Sequence, residues 1–425
     1  MQIRPDHERV VITGLGAITP LGLNVADTWQ GMIEGRSGVD HITQFDASHF
    51  PTTFAGEVKN FDPLQYLDRK EARRIARATQ FSLVTSMQAM ADAGLERFME
   101  DPTREDGLAQ RSGVLLGTSY GGFGTAEQAI RDFHSRGLSK VSPFALAASL
   151  PNMVTSHVCL HFNIQGYTST ITTACASGTQ AIGEAAEVIR RGKTDLMLAG
   201  GVESVITEVV LAGFAAMRAI STRNDDPAGA CRPFDAERDG FVIGEGCAVF
   251  VLERLSHARA RGAHIYAEVL GHASSTDTYH LAQPDPQGRY AQLAMRWALE
   301  DAGVTLDEVD YINAHAPGTP LGDVAETVAI KGLFSERAYD IPISSTKSMI
   351  GHALGAAGAI EALACVKAIQ TGTIHPTINY PTPDPACDLD YVPNVARRAD
   401  VRVALSNSFG LGGQNACLVL GRFEA

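Results

Sequence analysis

Thr168-Ser169-Thr170-Ile171-Thr172-Thr173-Ala174-Cys175-Ala176-Ser177-Gly178 is the stretch that decides how this chain folds. Up to Thr173 it is dominated by β-branched residues and reads as a strand. From Ser177 to Arg191 the sequence becomes alanine-rich and helix-forming. Cys175 therefore falls on a strand-to-helix turn. At such a turn, orphan backbone N–H groups and the positive end of the helix dipole favour thiolate over thiol. The neighbouring amides can then hold an oxyanion once the sulfur attacks a carbonyl. A cysteine is otherwise a small buried hydrophobe, so the rest of the chain must decide between the two roles.

Outward from this turn, strand and helix patterns alternate. Strands are expected at Val10 to Thr13, Gly113 to Leu116, Leu196 to Ala199, Ala248 to Leu252, Ala267 to Leu270, Ile341 to Ser344, Val403 to Leu405 and Ala416 to Leu420. Helices are expected at Ala72 to Ala93, Arg289 to Asp301, Val324 to Phe334 and Gly355 to Thr371. The alternation predicts an α/β protein with its sheets covered on both faces. A second run of strands and helices begins near Ile265, although the internal repeat is faint. Two histidines lie in turns after short apolar or β-branched runs: His315 after Asp310-Tyr311-Ile312-Asn313, and His352 in Ser345-Thr346-Lys347-Ser348-Met349-Ile350-Gly351-His352. Both would project from strand ends or their loops, where open α/β sheets collect their chemistry.

Composition narrows the class. The 425 residues, 45% hydrophobic and 20% charged, can build one large or two fused domains. Seven cysteines without a CxxC pair offer neither a disulfide framework nor a zinc site, and point to a reducing, cytoplasmic compartment. The start of the chain is polar, and no stretch reads as apolar over the roughly 18 residues a membrane span needs. A net charge of −13 argues against nucleic acid as a partner. Arg69, Lys70, Arg73, Arg74 and Arg77 nevertheless cluster within nine residues, either as an ordinary solvated helix face or as a docking patch. No phosphate-binding loop is present, and the glycines at Gly14, Gly16 and Gly22 do not make GxGxxG, so no nucleotide cofactor or metal is expected.

Six segments taken together, VVITGLGAITPLG (10–22), TACASG (173–178), RPFDAERDGFVIGEG (232–246), NAHAPGTPLGD (313–323), SSTKSMIGHALGAAGAIE (344–361) and NSFGLGGQN (407–415), resemble the β-ketoacyl-acyl carrier protein synthases of the type II, chain-elongating group. The resemblance covers essentially the whole chain. It implies a thiolase-like, five-layer αβαβα fold of two similarly built halves, 1–260 carrying the cysteine and 261–425 carrying the two histidines. It also implies a homodimer, with a heterodimer as the alternative, and acyl carrier protein as partner.

The implied chemistry is a decarboxylative condensation needing no cofactor beyond the carrier's phosphopantetheine. Cys175 would hold the acyl group as a thioester. The amides of Cys175 and Phe409 would form the oxyanion hole. His315 and His352 would donate hydrogen bonds to the malonyl thioester oxygen, and their spacings, 140 residues from Cys175 to His315 and 37 from His315 to His352, fit the family. Lys347, paired with Glu361, would fix the imidazoles' orientation and tautomer. Asp323 and Glu326 are expected to be structural. Arg69, Lys70, Arg73, Arg74 and Arg218 would dock the carrier, with Phe214 and Thr319 on the substrate path.

Departures from the family pattern bear on substrate. The usual His-Gly-Thr-Ser-Thr becomes His315-Ala316-Pro317-Gly318-Thr319, leaving Thr319 for the pantetheine arm, and Ala282 stands where a hydroxyl is common. Leu411 replaces a gating phenylalanine. Tyr120, often an isoleucine in the family, would shorten or redirect the acyl pocket and favour shorter or rigid, unsaturated chains. Two alternatives stay open: a ketosynthase of a type II polyketide or polyene pathway, and a non-catalytic chain-length partner subunit, against which the retained Cys175, His315 and His352 count. A degradative thiolase would use a second cysteine, but Cys417 lies in an apolar strand and reads as core.

Overall fold

The computed structural model describes residues 4–96 and 107–424. Among these, ten strands join one sheet: β1 Val10–Ile18, β2 Ser112–Gly117, β3 Thr168–Ile171, β4 Leu196–Glu203, β5 Gly246–Arg254, β6 Ala267–Thr276, β7 Tyr311–Asn313, β8 Ile343–Ser344, β9 Val403–Gly410 and β10 Gln414–Gly421. Their spatial order is β8-β7-β9-β10-β6-β1-β5-β4-β2-β3. Read outward from the centre, each side follows the same rule, first strand, fifth, fourth, second, third. The pairing senses also match: antiparallel twice, then parallel twice. β1 and β6 join the sides through the short register Val10–Ile12 against Val269–Ala267.

The sheet bends at that junction so that its halves face each other across two buried helices. Helices α1 Arg77–Asp92 and α2 Met153–Phe162 cover the outer face of the first half, α3 Ser177–Arg190 and α6 Ala357–Thr371 lie between the halves, and α4 Arg289–Ala302 and α5 Gly322–Phe334 cover the second. Period-two alternation along the strands produces this layering. Leu115, Met197, Ala199, Phe250, Leu418 and Leu420 face the central helices. Val114, Leu116, Leu196 and Leu198 face α1 and α2, while Cys417 and Val419 face α4 and α5. This is the expected five-layer αβαβα arrangement.

Three expectations need correction. The segment Leu354–Thr371 is long and apolar enough to cross a membrane by composition, but 83% of it is buried as the central helix α6 and its approach. The helix expected from Ala72 to Ala93 is broken: Arg69–Ala72 makes one turn, Ala76 is extended, and α1 starts at Arg77. The break lets the Arg77 guanidinium turn inward onto buried Glu245 and the Val58 carbonyl. Strand β1 runs on to Ile18 because Gly14 and Gly16 admit α1, where an added Cβ would lie 2.2 Å from the Ala89 oxygen and 2.1 Å from the Thr85 oxygen. All seven cysteines are free thiols.

Candidate active site

Strand β3 ends at Ile171, and a single 3-10 turn, Ala174–Ala176, leads into α3. Ala174 sits in the left-handed region at φ 49°, a conformation that side-chain-bearing residues adopt only under constraint. The constraint is visible. Ser177 Oγ donates to the Ala174 carbonyl at 2.6 Å and accepts from the Thr173 amide at 2.9 Å, while Ser119 Oγ donates to the same carbonyl at 3.0 Å. The result is a buried Cys175 at the N-terminus of α3.

The second half of the chain delivers the imidazoles. His352 follows the short helix Lys347–Ile350, its amide held by the Val242 carbonyl at 2.6 Å, and its Nε2 stands 3.0 Å from Cys175 Sγ. His315 follows β7, and the two rings lie 5.3 Å apart at 81°. Asp323 and Glu326, expected to be structural, hang the His315 loop from the first turns of α5. Glu326 accepts the amides of His315 and Ala316 at 2.9 and 2.7 Å, and Asp323 those of Gly318 and Thr319 at 3.2 and 3.1 Å.

Lys347 and Glu361 are fully buried and hydrogen-bonded to one another. Among the described residues, neither imidazole Nδ1 has a hydrogen-bond partner, so the Lys347–Glu361 pair does not fix their tautomers by bonding. It acts through charge. Burial first, and then the Lys347 cation, hold both imidazoles well below the ordinary histidine value, so each is neutral at neutral pH.

Cys175 departs from the expected thiolate. Burial pushes its thiol up to about 11, while the Leu411 amide, hydrogen-bonded to the sulfur, and Lys347 pull the other way, and buried Glu203 and Glu361 push it up. A protonated thiol beside a neutral imidazole at 3.0 Å is a nucleophile with its base in reach. The amide aimed at the sulfur belongs to Leu411, on the turn after β9, and not to Phe409, whose ring stands 5.8 Å from His315. That turn, closed by the Gly413 amide on the Gly410 carbonyl, carries residue 411 back over the sulfur.

A cavity of about 170 Å³ opens from Cys175, His315 and His352 past Phe214, Thr319 and Leu411. Pro317 and Ala282 line it too. Tyr120 does not line it. Its ring meets Phe123 edge-on at 5.6 Å, inside the apolar cluster that also holds Cys175, Phe214 and Phe241. Arg69, Lys70, Arg73, Arg74 and Arg218 are all exposed. The Arg74 guanidinium lies 4.5 Å over the Phe144 ring, and Arg218 follows the cavity-lining Met217.

The models of the β-ketoacyl synthase N-terminal and C-terminal domains match residues 7–258 and 266–381. The chain belongs to the β-ketoacyl synthase family. This β-ketoacyl synthase is 47% identical over 419 residues to the 3-oxoacyl-[acyl-carrier-protein] synthase 2 of Synechocystis sp., covering 99% of each chain. Among solved structures it superposes on the ishigamide ketosynthase/chain length factor with a TM-score of 0.90 at 35% identity, over 98% of this chain and 99% of that one. It superposes on a type II polyketide-synthase ketosynthase, solved with its acyl-carrier protein and bound to a hexaketide, with a TM-score of 0.89 at 35% identity and the same coverage.

Beside the residues that the sequence singles out, the synthase site rests on Glu203. It bonds backbone amides, a role that leaves no spacing pattern in the sequence.

Proposed function

We propose that the chain lengthens an acyl group by decarboxylative condensation with malonyl-acyl carrier protein, giving 3-oxoacyl-acyl carrier protein. In the first half-reaction the Cys175 thiol gives its proton to His352 Nε2 as sulfur attacks the carrier's thioester. The carrier's thiol leaves with that proton, and the acyl group stays on Cys175. The amides of Cys175 and Leu411 hold the oxyanion. In the second, malonyl thioester loses carbon dioxide, and His315 and His352, both neutral and donating from Nε2 once the His352 proton has moved there from Nδ1, stabilise the enolate oxygen. The enolate carbon attacks the acyl-cysteine and expels the sulfur as a thiolate, which takes one proton from water to restore the thiol. The observation that carries the reading is the 3.0 Å approach of His352 Nε2 to Cys175 Sγ with His315 beside it.

Intact-mass analysis after incubation with acyl-carrier proteins tests it. A single acyl adduct on Cys175 is expected, absent in Cys175→Ala together with condensation. Full condensation by that variant would refute the reading. A preference for shorter, or rigid and unsaturated, acyl chains is expected if the acyl chain reaches the apolar cluster in which Tyr120 and Phe123 pack beside Cys175. Highest turnover with the longest saturated chain would remove it.

Fatty-acid-type elongation is preferred to the polyketide alternative, because 47% identity joins the chain to a 3-oxoacyl-[acyl-carrier-protein] synthase against 35% to the polyketide ketosynthase. The partner would be acyl carrier protein, met by the exposed arginines and Lys70. Homodimerisation is favoured by β3, a sheet-edge strand flanked by exposed Leu146, Leu160 and Tyr167.

A further inference from the structure

Glu203 ends β4 with no exposed surface, and its carboxylate collects four donors from two separate segments. Oε2 accepts the amides of Ser119 at 2.7 Å and Gly355 at 3.1 Å. Oε1 accepts the Thr118 hydroxyl at 3.2 Å and the Tyr120 amide at 3.3 Å. Each donor sits next to part of the site. Ser119 Oγ holds the strained Ala174 carbonyl, one residue before the nucleophile. Tyr120 packs in the apolar cluster around Cys175, and Gly355 lies three residues after His352, following Leu354 at φ 42°.

We propose that Glu203 is a positioning residue for the acylation step: one buried carboxylate that registers the nucleophile's turn, the wall behind it and the segment following His352. It requires ionisation to accept four donors, and an anion there has a second effect, opposing formation of the Cys175 thiolate. Burial pushes the Glu203 carboxyl up to about 7, with its amide donors pulling down, so the anion prevails at the alkaline pH where the thiol ionises. The groups acting on that thiol are Glu203 and Glu361, which disfavour the anion, and Lys347 and the Leu411 amide, which favour it; His352 is bonded to it, and Tyr120 faces both Cys175 and Glu203.

The assignment rests on Cys175 being the nucleophile, which the wild-type adduct reports before any variant is made; an adduct elsewhere sinks both readings. With the adduct on Cys175, iodoacetamide labelling of that residue is followed against pH by peptide mass, beside acyl transfer from acyl-carrier protein. Glu203→Gln is expected to move the labelling midpoint to lower pH while slowing acyl transfer by about tenfold to a hundredfold, because a misaligned reacting group loses that much. Faster labelling with slower transfer is a combination that a merely structural loss does not give. An unchanged midpoint, or wild-type transfer, overturns the proposal. Ser119→Ala, which cuts the link to Ala174 without touching the charge, is expected to slow transfer and leave the midpoint in place. If Glu203→Gln does not fold, wild-type transfer by Ser119→Ala overturns the proposal alone.

Discussion

Lys347 has no exposed surface, and what it does from there is electrostatic. Its replacement by methionine leaves Glu361 buried without its cation, a loss of about 3–5 kcal/mol for a broken buried pair. It also removes the charge that, after burial, does most to keep the imidazoles neutral. The acid limb of the condensation rate is therefore expected to shift to higher pH in Lys347→Met, measured on the fraction that stays folded. The sign follows from His315 and His352 being lowered in the folded state. Above about pH 6.5 they are neutral both folded and unfolded and add nothing; below it the unfolded chain gains protons that the folded one refuses, and stability falls. At this scale Cys175, His315 and His352 were legible because their chemistry needs those residue types in turns. The thiol's ionisation was not, since the burial that sets it comes from distant strands. The amide that meets the sulfur is that of Leu411, two residues beyond the Phe409 named from the sequence, because a tight turn decides which amide points back.

The central helices α3 and α6 meet at glycine. A Cβ added to Gly358 would stand 1.9 Å from Thr179 Oγ1 and 2.8 Å from Ser408 Oγ, two hydroxyls bonded to each other at 2.7 Å. Gly358→Ala is thus expected to cost about 1–3 kcal/mol by overpacking, read as a lower denaturant midpoint. It should also slow condensation, because α3 carries Cys175 at its start and α6 follows the His352 turn. Helices α3, α4, α5 and α6 were legible from length and alanine content. Helix Glu208–Ala216 was not, for its apolar run shows no period of 3.6, and tertiary packing alone decides that it is helical. The basic run 69–77 misled for a related reason: a buried acid, Glu245, captured one of its arginines and split the helix.

On the scale of the whole molecule, two similarly built halves of one sheet share one buried helical layer. The duplication was barely legible, because what repeats is strand order and face alternation and not the residues themselves. Strands β9 and β10 lie between β7 and β6, inside the sheet and not at its rim. A chain ending at Arg402 is accordingly expected to lose its cooperative thermal transition in circular dichroism; a sharp transition like that of the full chain would contradict this. The order in which the polypeptide is synthesised then matters. A ribosome that has released everything up to residue 400 still holds a protein with a gap at the heart of the second half of its sheet and with α6 uncovered along the side that packs on β9. Until the last strands emerge, the nascent chain exposes apolar surface of the kind that chaperones cover.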